Sequence, residues 1–212
     1  MRVLDKIIDS GIVAVIRGAT PDKIMPVVQA LYEGGVTTLE ITVETPKVLT
    51  LIEQVKDAFD DRVVVGAGTV LDPETARAAI MAGASFIFSP TVHPETIRLT
   101  KRYGVISIPG ALTPTEILTA YEHGADVVKV FPANVVGPRY LQDIHGPLPH
   151  IPLMPTGGID LSNAAAYIRA GAVAVGVGGS LVSFKEEVSE AYLSRLTETA
   201  RKFTEAVKQA RS

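Results

Sequence analysis

Short apolar segments rich in Val and Ile recur along the chain and are bounded by Gly, Pro or Thr. This pattern is typical of strands in a parallel sheet, because both faces of such strands are buried. Between them, apolar residues three and four positions apart predict helices, most clearly in the last segment at Val188, Tyr192, Leu196, Phe203 and Val207. The predicted strands are Val13–Arg17, Thr38–Thr42, Val63–Gly68, Phe86–Pro90, Val105–Gly110, Val127–Pro132, Pro152–Gly157 and Ala174–Gly179.

Proline and glycine mark the boundaries of the predicted helices. Proline is favoured in the first turn of a helix, and a glycine in the left-handed conformation commonly follows the last turn. First turns are expected to begin at Pro21, Pro46, Pro73, Pro94 and Pro114. The glycines that precede the next strand are Gly35, Gly83, Gly104, Gly124 and Gly171.

Strand and helix alternate eight times without a linker or a shift in composition. We therefore predict that residues 1–212 form a single α/β domain, a closed (β/α)₈ TIM barrel. Apolar residues are grouped in the first ten positions, where we expect a short N-terminal helix that covers the barrel floor. The alternative is an open doubly wound sheet, but its usual Gly-x-Gly-x-x-Gly turn is absent after the first strand.

Two charged residues lie inside predicted strands. Lys129 is the only one of nine lysines in a strand, and Glu40 is the only one of 23 acidic residues in a strand interior. Both can point into the barrel, either as a structural ion pair or as an amine nucleophile beside a proton-transfer carboxylate. We favour the second hypothesis, because burial releases neutral amine to attack a carbonyl and barrel interiors are normally filled by Val, Ile and Leu.

Two glycine pairs lie at the ends of the last two predicted strands. They are Gly157-Gly158, and Gly178-Gly179 followed by Ser180. Paired glycines let backbone N–H groups approach an anion, and the loops after strands seven and eight of such barrels commonly hold phosphate. One Gly-Gly pair is usually only a turn, but two pairs at these two places indicate a phosphate site.

Composition excludes several kinds of chemistry. The chain has 212 residues, no cysteine and four histidines without metal-ligand spacing, so we expect neither a metal nor another cofactor. Twenty basic against 23 acidic residues argue against a nucleic-acid partner. Because no apolar run approaches ~18 residues and charges interrupt the first ten positions, we expect no membrane partner and a cytoplasmic location.

Five motifs together resemble the bacterial KDPG/KHG aldolases, which cleave 2-keto-3-deoxy-6-phosphogluconate (KDPG) or 4-hydroxy-2-oxoglutarate (KHG). The resemblance covers nearly the whole chain, in order and with matching spacing. The Thr-Gly-Gly turn is shared with many phosphate-binding barrels, whereas the contexts of Glu40 and Lys129 are specific. The motifs are Gly-Gly-Val-Thr-Thr-Leu-Glu40-Ile-Thr, Val-Gly-Ala-Gly-Thr69-Val, Phe-Ser89-Pro90, Val-Lys129-Val-Phe131-Pro132-Ala and Pro-Thr156-Gly157-Gly158-Ile.

The resemblance implies a class I aldolase that needs no metal. Lys129 would form a Schiff base with the 2-keto group of the substrate, and Glu40 would move protons through water. Thr69 would bind the pyruvate carboxylate, and Thr156 would influence stereoselectivity at C4. Pro90 would contact the substrate and Phe131 would pack against it.

The phosphate would lie against Gly157, Gly158, Gly178, Gly179 and Ser180. Members of the family are cytoplasmic homotrimers, so the same state is expected for this chain. The expected substrate is a small keto acid, and the glycine pairs predict that it is phosphorylated.

One residue departs from the family pattern. Well-studied members have Arg four residues after the catalytic Glu, where it binds a substrate carboxylate, but this chain has Glu44 there. A carboxylate cannot replace a guanidinium in that contact. Arg17 resembles the Arg of another branch of the family and is the candidate for the missing cation. The choice among KDPG, its galactonate epimer (KDPGal) and KHG therefore stays open.

Two other functions also stay open at this point. The first is a sugar-phosphate isomerase or synthase that uses Lys129 only as an electrostatic group. The second is a catalytically silent barrel that binds a metabolite or serves as an oligomeric scaffold. The aldolase alone predicts a covalent imine between Lys129 and pyruvate.

Overall fold

The computed structural model describes residues 2–212, so Met1 of the predicted domain lies outside the described residues. Helices and parallel strands alternate along the chain. The helices are α1 (Val3–Ser10), α2 (Pro21–Glu33), α3 (Val48–Phe59), α4 (Pro73–Met81), α5 (Pro94–Arg102), α6 (Pro114–Glu122), α7 (Arg139–His145), α8 (Ala164–Arg169) and α9 (Glu190–Arg211). The strands are β1 (Ile12–Ile16), β2 (Thr38–Thr42), β3 (Val64–Gly68), β4 (Phe86–Phe88), β5 (Ile106–Ile108), β6 (Gly110–Ala111), β7 (Val128–Val130), β8 (Leu153–Pro155) and β9 (Val175–Val177).

The strands form two parallel sheets. One has six strands in the order β5-β4-β3-β2-β1-β9, and the other has the order β6-β7-β8. The α/β class and the parallel arrangement are thus confirmed, whereas closure into one eight-stranded barrel stays a prediction. The fifth predicted strand, Val105–Gly110, is divided at Pro109 into β5 and β6. Proline has no N–H to donate, so it interrupts the hydrogen-bond ladder there.

Proline is the first helical residue at four of the five helix starts that the sequence predicted. Pro21, Pro73, Pro94 and Pro114 are the first residues of α2, α4, α5 and α6. Pro46 is an exception, because α3 begins at Val48 after a left-handed Lys47. The prediction for this helix start was therefore wrong by two positions, since a residue with positive φ cannot belong to the first helical turn.

A short helix packs at the end of the sheet where the strands begin. Helix α1 buries Ile7 completely, in a cluster with Val13, Val64, Phe86 and other strand residues. The predicted N-terminal helix is therefore present. Within residues 2–212, none of the helices has both the length and the apolar composition needed to cross a membrane.

Candidate active site

A cavity of about 460 Å³ lies where the strands end. Residues from the ends of β1, β2, β3, β4, β7, β8 and β9 meet here, because parallel strands place their carboxyl ends on one side of the sheet. All twelve residues that the sequence singled out line it, namely Arg17, Glu40, Thr69, Pro90, Lys129, Phe131, Thr156, Gly157, Gly158, Gly178, Gly179 and Ser180. A larger hollow of about 860 Å³ between α2 and α9 contains none of them.

The two strand charges are buried in this cavity. Lys129 in β7 is 6% exposed and Glu40 in β2 is 1% exposed. Glu40 fits because the neighbouring strand has a glycine: the carboxylate fills the space that a Cβ on Gly68 would need. Glu40 thus provides the buried charge, and Gly68 leaves the space that its carboxylate occupies.

Lys129 and Glu40 do not form a direct ion pair. Among the described residues, no carboxylate oxygen lies within 4.0 Å of the Lys129 Nζ. The buried Oε2 of Glu40 has no hydrogen-bond partner within residues 2–212. A buried carboxylate oxygen is normally hydrogen-bonded, so this one has unused capacity to accept a proton or a hydrogen bond from water or substrate.

Burial changes the acidity of both groups. Removal from water raises the pKa of Glu40 to about 7, although Lys129 and then Arg17 act in the opposite direction. Burial also lowers the pKa of Lys129 to about 8, with Glu40 opposing and Arg17 reinforcing that change. About a tenth of the amine is therefore neutral at pH 7, far more than for an ordinary lysine, and the neutral amine is the form that acts as a nucleophile.

Two aromatic rings lie close to the lysine nitrogen. The Nζ of Lys129 lies 4.2 Å from the ring centroid of Phe88 and 4.6 Å from that of Phe131. Both distances are within the range of a cation–π interaction. The ammonium thus contacts two ring faces in place of a carboxylate.

A third charge stands at the edge of the cavity. Arg17, just after β1, forms an ion pair with Glu44, and its Nη2 lies 3.4 Å from the hydroxyl of Thr69. Both side chains of the ion pair are partly exposed, at 59% for Arg17 and 42% for Glu44. Arg17 therefore reaches the predicted carboxylate-binding residue while Glu44 offsets part of its charge.

The glycine pairs lie at another part of the cavity. Gly157 and Gly158 have φ of 95° and 71°, which glycine adopts most readily. A Cβ on Gly179 would meet nothing within 4 Å, so this backbone is open to a ligand. Within residues 2–212, no protein group accepts from the amides of Gly179 and Ser180. These amides can therefore bind an anion.

Some site residues were not found from the sequence. The cavity is also lined by Val15, Ile159 and Asp160. Asp160 accepts hydrogen bonds from the backbone and hydroxyl of Ser162, a turn pattern that its spacing could have suggested. Phe88 had no signal of its own, because it lies in an apolar strand like any core residue. Across residues 2–212, no three His, Asp or Glu residues form a cluster suited to a metal ion.

Comparisons with known proteins agree with this geometry. The sequence model of the KDPG and KHG aldolase family matches residues 3–198. The 2-dehydro-3-deoxy-6-phosphogalactonate aldolase of Escherichia coli K12 is 34% identical over 200 residues, which are 94% of this chain and 95% of the relative. The 2-dehydro-3-deoxy-phosphogluconate aldolase of Pseudomonas aeruginosa is 43% identical over 146 residues, which are 68% of this chain and 66% of that enzyme.

A solved structure from this family has the same fold as this chain. It is KDPG aldolase from Legionella pneumophila with pyruvate captured as a covalent carbinolamine intermediate. It superposes with a TM-score of 0.83 at 29% identity, covering 92% of this chain and 95% of the other. The family match spans most of the chain, and the relatives match it over most of their own length. The chain therefore belongs to the KDPG and KHG aldolase family.

Proposed function

We propose that this protein is a class I aldolase that cleaves KDPG to pyruvate and glyceraldehyde 3-phosphate. KHG, which would give pyruvate and glyoxylate, is proposed as a further substrate. The observation that carries the proposal is a buried lysine without a bound carboxylate, facing a buried glutamate in one cavity. Burial lowers the pKa of Lys129 to about 8, so neutral amine is available for attack on a keto group.

The proposed reaction begins at the Lys129 Nζ. The neutral amine attacks C2 of the substrate, and the carbinolamine loses water to give a protonated imine. The electron pair of the C3–C4 bond then moves towards the imine nitrogen and forms an enamine. The C4 hydroxyl gives up its proton as the aldehyde leaves. Protonation of the enamine at C3, followed by hydrolysis of the imine, releases pyruvate and restores the amine.

Glu40 is proposed to move the protons of this sequence. Its raised pKa lets the carboxyl accept and return a proton near neutral pH, where a general acid–base group is most effective. Water between Glu40 and the substrate would relay the proton, because Glu40 and Lys129 do not pair directly. Such a positioned group contributes about 10²–10⁴-fold to the rate.

The remaining residues are proposed to hold the two ends of the substrate. Arg17 and Thr69 would bind the carboxylate, while Pro90 and Phe131 would pack against the carbon chain. Thr156 would contact C4. The phosphate would bind to backbone N–H groups of the glycine turns Gly157-Gly158 and Gly178-Gly179, with Ser180.

KDPGal is the alternative substrate. It differs from KDPG in the configuration at C4, so the two substrates place the same groups at both ends of the cavity. The E. coli relative named for the galactonate substrate matches over nearly its whole length, which supports this alternative. Arg17 supports it as well, because it resembles the Arg of another branch of the family.

We propose that the two sheets close into one (β/α)₈ barrel. An isolated parallel bridge joins Thr156, which follows β8, to Gly176 in β9. At the other junction only Pro109 separates β5 from β6. Counting β5 and β6 as one interrupted strand gives eight strands within residues 2–212. A single domain over residues 1–212 is part of the same proposal. A homotrimer in the cytoplasm is also proposed, on the family resemblance alone.

The test is turnover of KDPG, KDPGal and KHG, in which released pyruvate is measured with coupled lactate dehydrogenase. We expect pyruvate from at least one substrate and none from the Lys129→Arg variant. Consumption of a substrate without pyruvate release, retained in part by Lys129→Arg, would favour an isomerase or synthase that uses the charge alone. Binding of all three compounds without pyruvate release would favour a silent metabolite-binding barrel.

A further inference from the structure

The Lys129 nitrogen contacts two ring faces. One belongs to Phe131, which follows β7, and the other to Phe88, the last residue of β4. Phe88 is fully buried and packs edge-on against Phe86, with ring centroids 6.4 Å apart. Phe88 is therefore held in place by the core while its ring face contacts the nitrogen.

We propose that Phe88 is a positioning residue, which with Phe131 forms a two-ring seat for the Lys129 nitrogen. The negative face of an aromatic ring attracts a cation, and more strongly where water is excluded. The seat thus stabilises positive charge on the nitrogen without a counter-ion that would occupy the substrate's place. The catalytic meaning of the seat rests on the proposed aldolase function, whereas its electrostatic effect on Lys129 does not.

The protonated imine is also a cation at nearly the same place. When the C3–C4 bond breaks, its electron pair neutralises that charge, and reprotonation at C3 restores it. The seat therefore faces the atom whose charge changes during the proposed reaction. A direct ion pair with Glu40 would hold the ammonium more firmly, but it would leave Glu40 less able to accept a proton.

Other charged groups near Lys129 come from three places. Glu40 lies on β2, Arg17 follows β1, and Asp160 lines the same cavity after β8. All three stay unchanged when only the electron density of a ring is altered. Any resulting change in the titration of Lys129 then belongs to the ring.

The experiment places phenylalanine with one, two or three ring fluorines at position 88. Fluorine withdraws electron density from the ring face with little change in shape, so folding is preserved. The same series at position 86 is the matched control, because Phe86 shares the strand and the core but does not contact the nitrogen. Competitive acetylation over a range of pH, read by peptide mass, gives the pKa of Lys129 without reference to activity.

We expect the pKa of Lys129 to fall stepwise with fluorination at 88, by about 0.5–1.5 pH units over the series. Fluorination at 86 should give no trend. The two-ring seat would be overturned if the pKa of Lys129 did not change across the series at position 88. It would also be overturned if the pKa changed equally per fluorine at positions 88 and 86. Borohydride trapping of pyruvate on the same proteins tests the proposed function separately. If the pKa of Lys129 falls stepwise but no pyruvyl adduct forms, the proposed aldolase function is wrong and the two-ring seat stands. If an adduct forms but the pKa does not change across the series, the two-ring seat is wrong and the aldolase function stands.

Discussion

The carboxylate of Glu40 fills the space that a side chain on Gly68 would occupy. The two residues lie on neighbouring strands, β2 and β3, and Glu40 lines the cavity. Gly68→Ala is therefore expected to displace the carboxylate and to lower kcat at least about tenfold, since a positioned acid–base group contributes about 10²–10⁴-fold. Steady-state kinetics with KDPG would measure the effect.

Gly146→Ala is the matched control for this substitution. Gly146 has a φ of −55°, and a Cβ there would meet only a backbone oxygen at 3.4 Å. It should leave kcat unchanged. Equal kcat values for Gly68→Ala and the unaltered protein would show that the place of the Glu40 carboxylate does not matter for the reaction.

The raised pKa of Glu40 predicts how stability depends on pH. Burial moves this pKa from 4.5 to about 7, so the folded protein binds the proton more tightly than the unfolded chain. The stabilisation is complete below about pH 4.5 and is lost as the pH rises through 7. We expect Glu40→Gln to gain up to about 3 kcal/mol in free energy of unfolding, relative to the unaltered protein, between acidic and mildly alkaline pH.

Urea unfolding at several pH values measures this difference. The chain has no tryptophan, so circular dichroism is the suitable signal. If the unaltered protein gains stability relative to Glu40→Gln as the pH rises, Glu40 does not hold its proton through burial.

Glu44 is expected to weaken the binding of a substrate carboxylate by Arg17. The ion pair between them neutralises part of the guanidinium charge at the cavity edge. Glu44→Gln removes this effect while keeping the shape of the side chain. Because both side chains are partly exposed and water screens them, KM for KDPG should fall only about two- to fivefold. Thermal unfolding should hardly change.

A rise in KM in Glu44→Gln would contradict that expectation. It would mean that Glu44 orients Arg17 rather than competing with the substrate. Arg17→Gln is the companion variant, and it should raise KM because it removes the charge that attracts the carboxylate.

Thr156 is expected to act on substrate choice and not on stability. Its hydroxyl is buried without a hydrogen-bond partner among residues 2–212, in a space left by Gly176. Thr156→Val keeps the shape and removes an unsatisfied polar group, so stability should stay equal or rise by about 1 kcal/mol. The ratio of kcat/KM for KDPG to that for KDPGal should move towards one. An unchanged ratio would remove Thr156 from the recognition of C4.

Lys129 and Glu40 could be found from the sequence, because a charged residue within a Val- and Ile-rich segment is recognisable without knowledge of the fold. The strand order then brings both into one cavity, together with the glycine turns. Arg17 and Glu44 were both noted in the sequence, but their ion pair was not. It depends on β1 and β2 being neighbours, which places the residues that follow both strands side by side.

Two other features depend on geometry that no local pattern carries. Phe88 looks like Phe86 in the sequence, and only the distance between residues of the two sheets shows that one ring reaches Lys129. The division of the fifth strand at Pro109 was also missed. The apolar pattern continues through the proline, although the hydrogen-bond ladder does not.

Reductive trapping is the most direct test of the central claim, which is that Lys129 forms a Schiff base. The protein is treated with borohydride in the presence and absence of pyruvate, and intact and peptide masses are recorded. Lys129→Arg removes the nucleophile, and Lys202→Arg, on the exposed face of α9, is the matched control. We predict one pyruvyl adduct per chain, on Lys129, retained in Lys202→Arg and lost in Lys129→Arg. An absent adduct, or one on another lysine, would contradict the account.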